Sequence, residues 1–464
     1  MICMKKLGFW SIVLLSINSI IGSGIFLTPG SVIRISGIYT PLIYVMAAIF
    51  ASILALTFAS ASKYVNKSGA AYSYTMVALG PHIGFYVGIT RFIAGSIAWG
   101  VMATAVVKTV ITIFGGDHTD ARLITLGFIL LMGILLLINV LGKHLLVWVS
   151  NLSTIGKIAA LLTVITSGLY LVIQTGDTQF SRISTLVDTS QIDSQAFVMA
   201  IIAAFYAFTG FESIATGAQD MKSPEKNLPR AIPLAIFMIA FIYIGVISIT
   251  MTINPVALIQ TKEVVSLVAV FDTPVIHRII LYGSLISMFG INVAASFSTP
   301  RIIEAIAHEG QIPKWFKKRT VYDFPLPAFM LTFLIAIAIP LAFQYNLTSI
   351  ILLSSISRFI QYLIVPICVI LFYYGKTSAP TLNHIRKNFF TDVLLPIFSF
   401  VLTLVLLIKF NWKGQFLITN DAVTSFNYLG VASLVLSYVI FPIILYRLTP
   451  LSKKESTQIP RKMT

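Results

Sequence analysis

Cysteine is nearly missing from the 464 residues. Cys3 and Cys368 are too few and too distant to form a disulfide framework. The six histidines are scattered, with no HExxH or CxxC spacing, so no metal site is expected. Charge is scarce: 10% of the residues are Asp, Glu, Lys or Arg, against about 25% in a typical soluble domain. No GxSxG elbow occurs, and Gly156-Lys157 lacks the upstream glycine of a phosphate-binding loop. An enzyme needs a nucleophile–base or metal constellation, so neither catalysis nor a cofactor is expected. A channel would be expected to repeat a filter motif or a charged ring, and neither is evident. Acidic residues are outnumbered, 16 to 32, which leaves a net charge of +16. The basic residues sit in short loops between apolar runs. No basic helix interleaved with aromatics is present, which argues against nucleic acid as a partner.

What the chain has is hydrophobicity: 57% of it is apolar and its mean hydropathy is +0.92. A spanning helix takes about 20 residues, so the length accommodates roughly a dozen. Apolar runs bounded by charges or Gly/Pro clusters predict twelve spans, at about 7–37, 40–61, 83–113, 122–141, 148–173, 195–220, 230–252, 275–307, 327–344, 347–373, 392–410 and 425–447. Lys5 and Lys6 before an apolar run resemble a signal peptide. The run to about Ile38 is too long for one and no A-x-A-like cleavage site follows, so it reads as a retained first span. With the N-terminus inside, the inner segments hold roughly 20 basic residues and the outer ones about eight. That asymmetry predicts a multi-pass protein of the cytoplasmic membrane with both termini cytoplasmic. The cationic run Lys314–Arg319 reads as a solvated inner loop.

Two spans carry interruptions. The first is broken by Gly22-Ser23-Gly24 before Ile25-Phe26-Leu27. The sixth carries FYAFTGFES, Phe205 to Ser213, with Thr209-Gly210 in mid-segment and Glu212 just beyond. An opened backbone at membrane depth is tolerated only where protein buries it or where it lines a cavity. Spans one and six each begin a block of five. Interruptions at matching positions of two repeats point to a transporter's binding site near mid-membrane. An ionisable group at that depth, such as Glu212 or the mid-span Arg358, is expected to serve a function or to have a partner.

Four stretches in this order resemble the amino acid–polyamine–organocation superfamily of permeases. They are IGSGIFLTPG (Ile21–Gly30), FYAFTGFES with the loop DMKSPEKNLPRAI (Asp220–Ile232), Gly156-Lys157, and TPRIIEAIAHEGQIPKWF (Thr299–Phe316). The resemblance covers about residues 5–375. It implies one all-α polytopic membrane unit with a leucine-transporter-like 5+5 inverted repeat. Repeat one would be about 7–173 and repeat two about 195–373; two further helices, 392–447, would lie outside the core, followed by a cytoplasmic tail, 448–464.

The chemistry expected at the breaks suits an amino acid or related amine. A half-helix start offers free amides and the positive end of a dipole. The amides of Ser23, Gly24 and Ile25, with the Ser23 hydroxyl, would take the carboxylate, and glycine at Gly22 and Gly24 permits close approach. By resemblance the ammonium would meet carbonyls of Ile20, Tyr206 and Thr209, while Tyr206 and Phe208 would act as wall or lid. Glu212 would titrate with transport or cap freed amides. Lys157 would occupy the place where sodium-coupled relatives hold sodium, bridging span one near Gly22 and hydroxyls at Ser296, Ser298 or Thr299. That implies a proton gradient as driving force and symport, with amino acid/amine exchange or polyamine transport as the alternative. No tryptophan stands near the span-six break, and span eight is small there (Ala294, Ala295, Ser296), unlike the arginine-exchanger branch. Substrate side chain and oligomeric state are not legible in the sequence.

Overall fold

The structure is a computed structural model describing residues 8–65, 69–141, 143–176, 178–188, 192–214, 221–261, 263–322, 324–381, 386–420 and 423–449. The apolar runs are helical for a simple reason. A chain in hydrocarbon must satisfy its own backbone polar groups, and a helix does this within one segment. Buried hydroxyls obey the same rule by donating to the preceding turn, as Ser16 does to the Ile12 carbonyl (2.7 Å) and Thr104 to that of Gly100 (2.8 Å).

The first predicted span resolves into α1 (Phe9–Ile20), α2 (Gly24–Leu27) and α3 (Pro29–Ser36). Next come α4 (Thr40–Tyr64), a short buried helix α5 (Ala71–Leu79) that hydropathy did not predict, and α6 (Pro81–Ile113). Then follow α7 (Ala121–Leu141), α8 (Lys143–Thr175) and a connecting turn α9 (Ile183–Leu186). The sixth span comprises α10 (Ser194–Tyr206) and α11 (Phe211–Ile214), and residues 215–220 lie outside the described residues. Beyond it run α12 (Pro224–Ile253), the short α13 (Pro255–Gln260) and α14 (Pro274–His308). The last third holds α15 (Leu326–Ala342), α16 (Leu347–Ser357), α17 (Phe359–Tyr374), α18 (Leu395–Lys409), α19 (Trp412–Gln415), α20 (Tyr428–Val435) and α21 (Phe441–Arg447). Among the described residues ten segments are long and apolar enough to cross a membrane. Ser194–Tyr206 and Leu326–Ala342 are shorter apolar helices at the places of predicted spans six and nine.

Two details depart from the sequence expectation. The tenth span is interrupted at Arg358, between α16 and α17. A small antiparallel hairpin, β1 (Leu417–Asn420) and β2 (Val423–Phe426), pairs Leu417 with Phe426 before α20. Neither run is long enough for hydropathy to reveal it. The expected tail after residue 449, and Lys5, Lys6 and Asp220, lie outside the described residues.

Small residues set the packing of the inner helices. A Cβ on Gly283 would stand 2.9 Å from the Gly156 carbonyl, and one on Gly290 would stand 2.1 Å from the Ser153 Cβ. That seam lets α8 and α14 touch backbone to backbone, as membrane helices do when van der Waals contact drives association. The peripheral helices are inside-out by soluble standards. Leu126, Leu130 and Leu137 on α7 and Phe398, Val401 and Ile408 on α18 are exposed, as side chains facing lipid would be. Polar residues turn inward instead. Glu304, at the end of α14, is buried and takes a two-pronged bond from Arg319 (2.6 and 3.1 Å). Lys314, Lys318 and Arg319 are exposed, as a solvated loop would leave them, and Arg319 in addition supplies the cation that the buried carboxylate requires.

Candidate functional site

Both interruptions are real openings of the backbone, and they lie against each other. α1 ends where Ile21 turns extended (φ −70°, ψ 91°), and the helix restarts at Gly24. Among the described residues no acceptor meets the amides of Gly22, Ser23, Gly24 and Ile25. The second break is a turn over residues 207–210, with Gly210 at φ +114°, a conformation that side chains rarely adopt. A Cβ on Gly210 would sit 2.4 Å from the Ser19 carbonyl oxygen, and one on Gly24 would sit 2.4 Å from the Ala207 Cα. Each break thus leans on the other through a glycine. Hydroxyls complete the joint. The Ser19 hydroxyl donates to the Gly210 carbonyl (3.1 Å) and pairs with Ser213 (2.8 Å), and Ser23 pairs with the Tyr206 hydroxyl (3.3 Å).

The joint borders a cavity of about 310 Å³, at the small end of the range for ligand pockets. Ile20, Gly22, Ser23 and Gly24 line it from span one, and Tyr206, Thr209, Gly210 and Glu212 from span six. Ala94, Gly95 and Ala98 on α6 form a small-residue wall, and Ala294, Ser298 and Thr299 on α14 form another. The exposed lining residues Ser213, Ala294 and Ser298 lie between the breaks and the face where α1 begins. On the opposite side Ile25, Phe26 and Leu27 are buried. There Ser266 accepts from the Gly30 amide (3.3 Å) and donates to the Phe26 carbonyl (3.4 Å). Arg34 donates to the carbonyls of Ile259 and Thr261, at 2.6 Å each. The cavity is therefore open toward one face and shut from the other.

The structure separates residues that the sequence grouped. Ile25 is buried, but its side chain does not border the cavity. Phe208 lies behind the break, fully buried with its ring against Tyr243 (5.2 Å), rather than over the cavity as a lid. The tight turn after Tyr206 rotates it away. The Tyr206 carbonyl already accepts from the Thr209 hydroxyl (2.8 Å) and amide (3.3 Å), whereas those of Ile20 and Thr209 meet no donor among the described residues. Ser296 is buried away from the cavity and accepts from the Asn139 amide (2.8 Å).

Lys157 is buried on α8 and points at the end of α1. Its ammonium donates to the Asn18 carbonyl (3.0 Å), the Asn18 side-chain oxygen (2.7 Å) and the Ile21 carbonyl (2.7 Å). A cation belongs at a helix C-terminus, where carbonyls are unsatisfied and the dipole is negative. The expected reach to Ser296, Ser298 and Thr299 is not made, because all three bonds go to span one. From α14 it is the Ser287 hydroxyl that donates to span one, to the Gly22 carbonyl (3.5 Å).

Glu212 does two things at once. One oxygen caps the Gly210 amide (3.0 Å), and the other pairs with Arg358 (2.9 Å). Arg358 sits at the interruption of span ten and also lines the cavity. The sequence reading missed Arg91, Gln361 and Asn18. Arg91 is a buried cavity residue that donates to Gln361 (3.4 Å). The signal for it was present, since an arginine ten residues into an apolar span obeys the same rule as Glu212. Nothing in the sequence marked Gln361 or Asn18, which become polar contacts only through packing.

Two interrupted helices packed on a half-open cavity inside a polytopic bundle define a membrane transporter. A family model described as amino acid permease matches residues 7–440. The chain belongs to that family. An uncharacterised transporter of Mycobacterium tuberculosis is 39% identical over 458 residues, covering 95% of this chain and 94% of the relative. The serine/threonine exchanger of Bacillus subtilis is 27% identical over 366 residues, 77% of this chain and 80% of the relative. The b(0,+)-type amino acid transporter 1 of Rattus norvegicus is 26% identical over 454 residues, 94% of this chain and 87% of the relative.

Proposed function

We propose that the chain is a secondary active transporter of amino acids in the cytoplasmic membrane, working by alternating access and driven by proton symport. The observation that carries the reading is the paired break. Among the described residues the amides of Gly22, Ser23 and Gly24 meet no acceptor, and these three residues line a cavity that Tyr206 and Thr209 also border. Such amides bind a carboxylate, and the open carbonyls of Ile20 and Thr209 bind an ammonium. These are the groups that every α-amino acid shares. Spans 1–5 and 6–10 are taken as inverted repeats that rock about this site, with both termini cytoplasmic. The one-sided opening is what a carrier caught facing inward has, and the Arg34 and Ser266 bonds are those that must break for it to face outward.

Coupling rests on Lys157. Its ammonium holds the end of α1 as a bound cation would, and a buried lysine can give up a proton where a metal site could not. Protonation locks α1 to α8; deprotonation releases it. A second reading, obligatory exchange, is favoured by the serine/threonine exchanger among the relatives. Uptake of labelled amino acids by the purified chain in liposomes separates the two. Accumulation under an inward proton gradient with an empty lumen supports symport. Uptake that ignores the gradient and needs internal amino acid assigns exchange instead.

A further inference from the structure

We infer that Arg91 selects the substrate by charge, and that this transporter prefers amino acids whose side chain carries a second carboxylate. The inference deepens the proposed function and rests on it. The breaks engage groups common to all amino acids, so selection must come from the rest of the cavity wall.

That wall is polarised. On α6 the residues Arg91, Ala94, Gly95, Ala98 and Met102 recur at helical spacing and all border the cavity. Four of them are uncharged, and three of those are small, so the stripe leaves room beside a single guanidinium. Gly95 is pressed on α14, where a Cβ would come within 3.1 Å of the Thr299 methyl. This contact fixes the turn that carries Arg91. The guanidinium donates to the Gln361 side-chain oxygen (3.4 Å), which leaves the Gln361 amino group as a further donor on the same wall. Glu212, whose charge also acts on Arg91, is engaged on both oxygens, by Arg358 and by the Gly210 amide.

The formal charges on the described lining residues are therefore two guanidinium groups and one carboxylate. A substrate brings its own ammonium and carboxylate, which cancel. A lysine- or arginine-like side chain would add a cation to a site already in positive excess and poorly screened by water. A side-chain carboxylate would cancel the excess and can accept two parallel bonds from a guanidinium. The rest of the described wall is Ala, Gly, Ile and Met with uncharged Ser and Thr hydroxyls, and Tyr206 is the one aromatic ring among the described lining residues, too few for a stack of faces around a cation.

The test uses the full chain reconstituted in liposomes, with labelled L-glutamate, L-aspartate, L-glutamine, L-serine, L-lysine and L-arginine as probes. Glutamate or aspartate should show at least about a tenfold lower apparent KM than lysine or arginine, the size of one favourable charge contact. Arg91→Gln should erase that preference, bringing the apparent KM for glutamate and aspartate to within about threefold of that for lysine and arginine in the same variant. Arg91→Lys, which keeps the charge, should retain the preference and serves as the readout if Arg91→Gln does not reconstitute. Lysine or arginine taken up as well as glutamate, or a ranking unchanged in Arg91→Gln, overturns the inference while leaving amino acid transport intact. Uptake of none of the six overturns the inference, and the proposed function is then judged separately by uptake of the remaining amino acids.

Discussion

Replacing Lys157 by methionine tests the coupling argument most directly. Methionine keeps most of the buried stem and removes only the ammonium. Three hydrogen bonds to Asn18 and Ile21 are lost; the Asn18 side-chain oxygen keeps the Thr154 hydroxyl, so the Asn18 and Ile21 carbonyls are the acceptors stranded, at about 1–3 kcal/mol each. Against this, the folded state no longer has to desolvate an ammonium, a saving of several kcal/mol. The two nearly offset, so thermal stability in detergent should change by no more than a few degrees. Function should not be spared. A proton gradient equivalent to about 100 mV is worth about 2.3 kcal/mol per charge, which caps one-proton symport at about 50-fold accumulation. The variant should fall to no accumulation at all. It should still equilibrate substrate and still exchange labelled for unlabelled amino acid, because neither process needs the proton. The assay is gradient-driven uptake in liposomes, with counterflow as the control for a folded, binding-competent protein. A Lys157→Met variant that still accumulates substrate as the parent does would refute the reasoning.

Three further outcomes follow from the geometry. Gly24→Ala should fail, because its Cβ would stand 2.4 Å from the Ala207 Cα and the neighbour is backbone; a loss of about 1–3 kcal/mol is expected in thermal unfolding, with weakened amino acid binding. Glu212→Gln strands the Arg358 guanidinium, and breaking such a pair costs about 3–5 kcal/mol. The double variant Glu212→Gln/Arg358→Gln should be less destabilised than the two single losses sum to, and strict additivity in a double-mutant cycle would contradict the 2.9 Å pair. Arg34→Ala removes two bonds to the Ile259 and Thr261 carbonyls and should populate the outward-facing form. A cysteine placed at Ser31 should then react several-fold faster with an impermeant maleimide, and an unchanged rate would remove Arg34 from the seal.

Sequence by itself determined the spans and the places where two of them open. Both are local. A run of apolar residues must be helical in hydrocarbon whatever it packs against, and Gly22-Ser23-Gly24 and Thr209-Gly210 weaken a helix wherever they stand. The charged residues within spans were legible by the same rule, although it was applied to Glu212 and Arg358 and not to Arg91. Tertiary structure alone decided which way each side chain points and whom it meets. Phe208 and Tyr206 are two residues apart, yet one packs against Tyr243 and the other borders the cavity, because the turn between them reorients the chain. Lys157 meets Asn18 and Ile21 rather than the hydroxyls of α14, and Glu212 meets Arg358 from a segment 146 positions away. Hydropathy is a property of position along one chain. Ion pairs, glycine contacts and a cavity wall depend on the rotation of helices about their axes, which only their packing against one another sets.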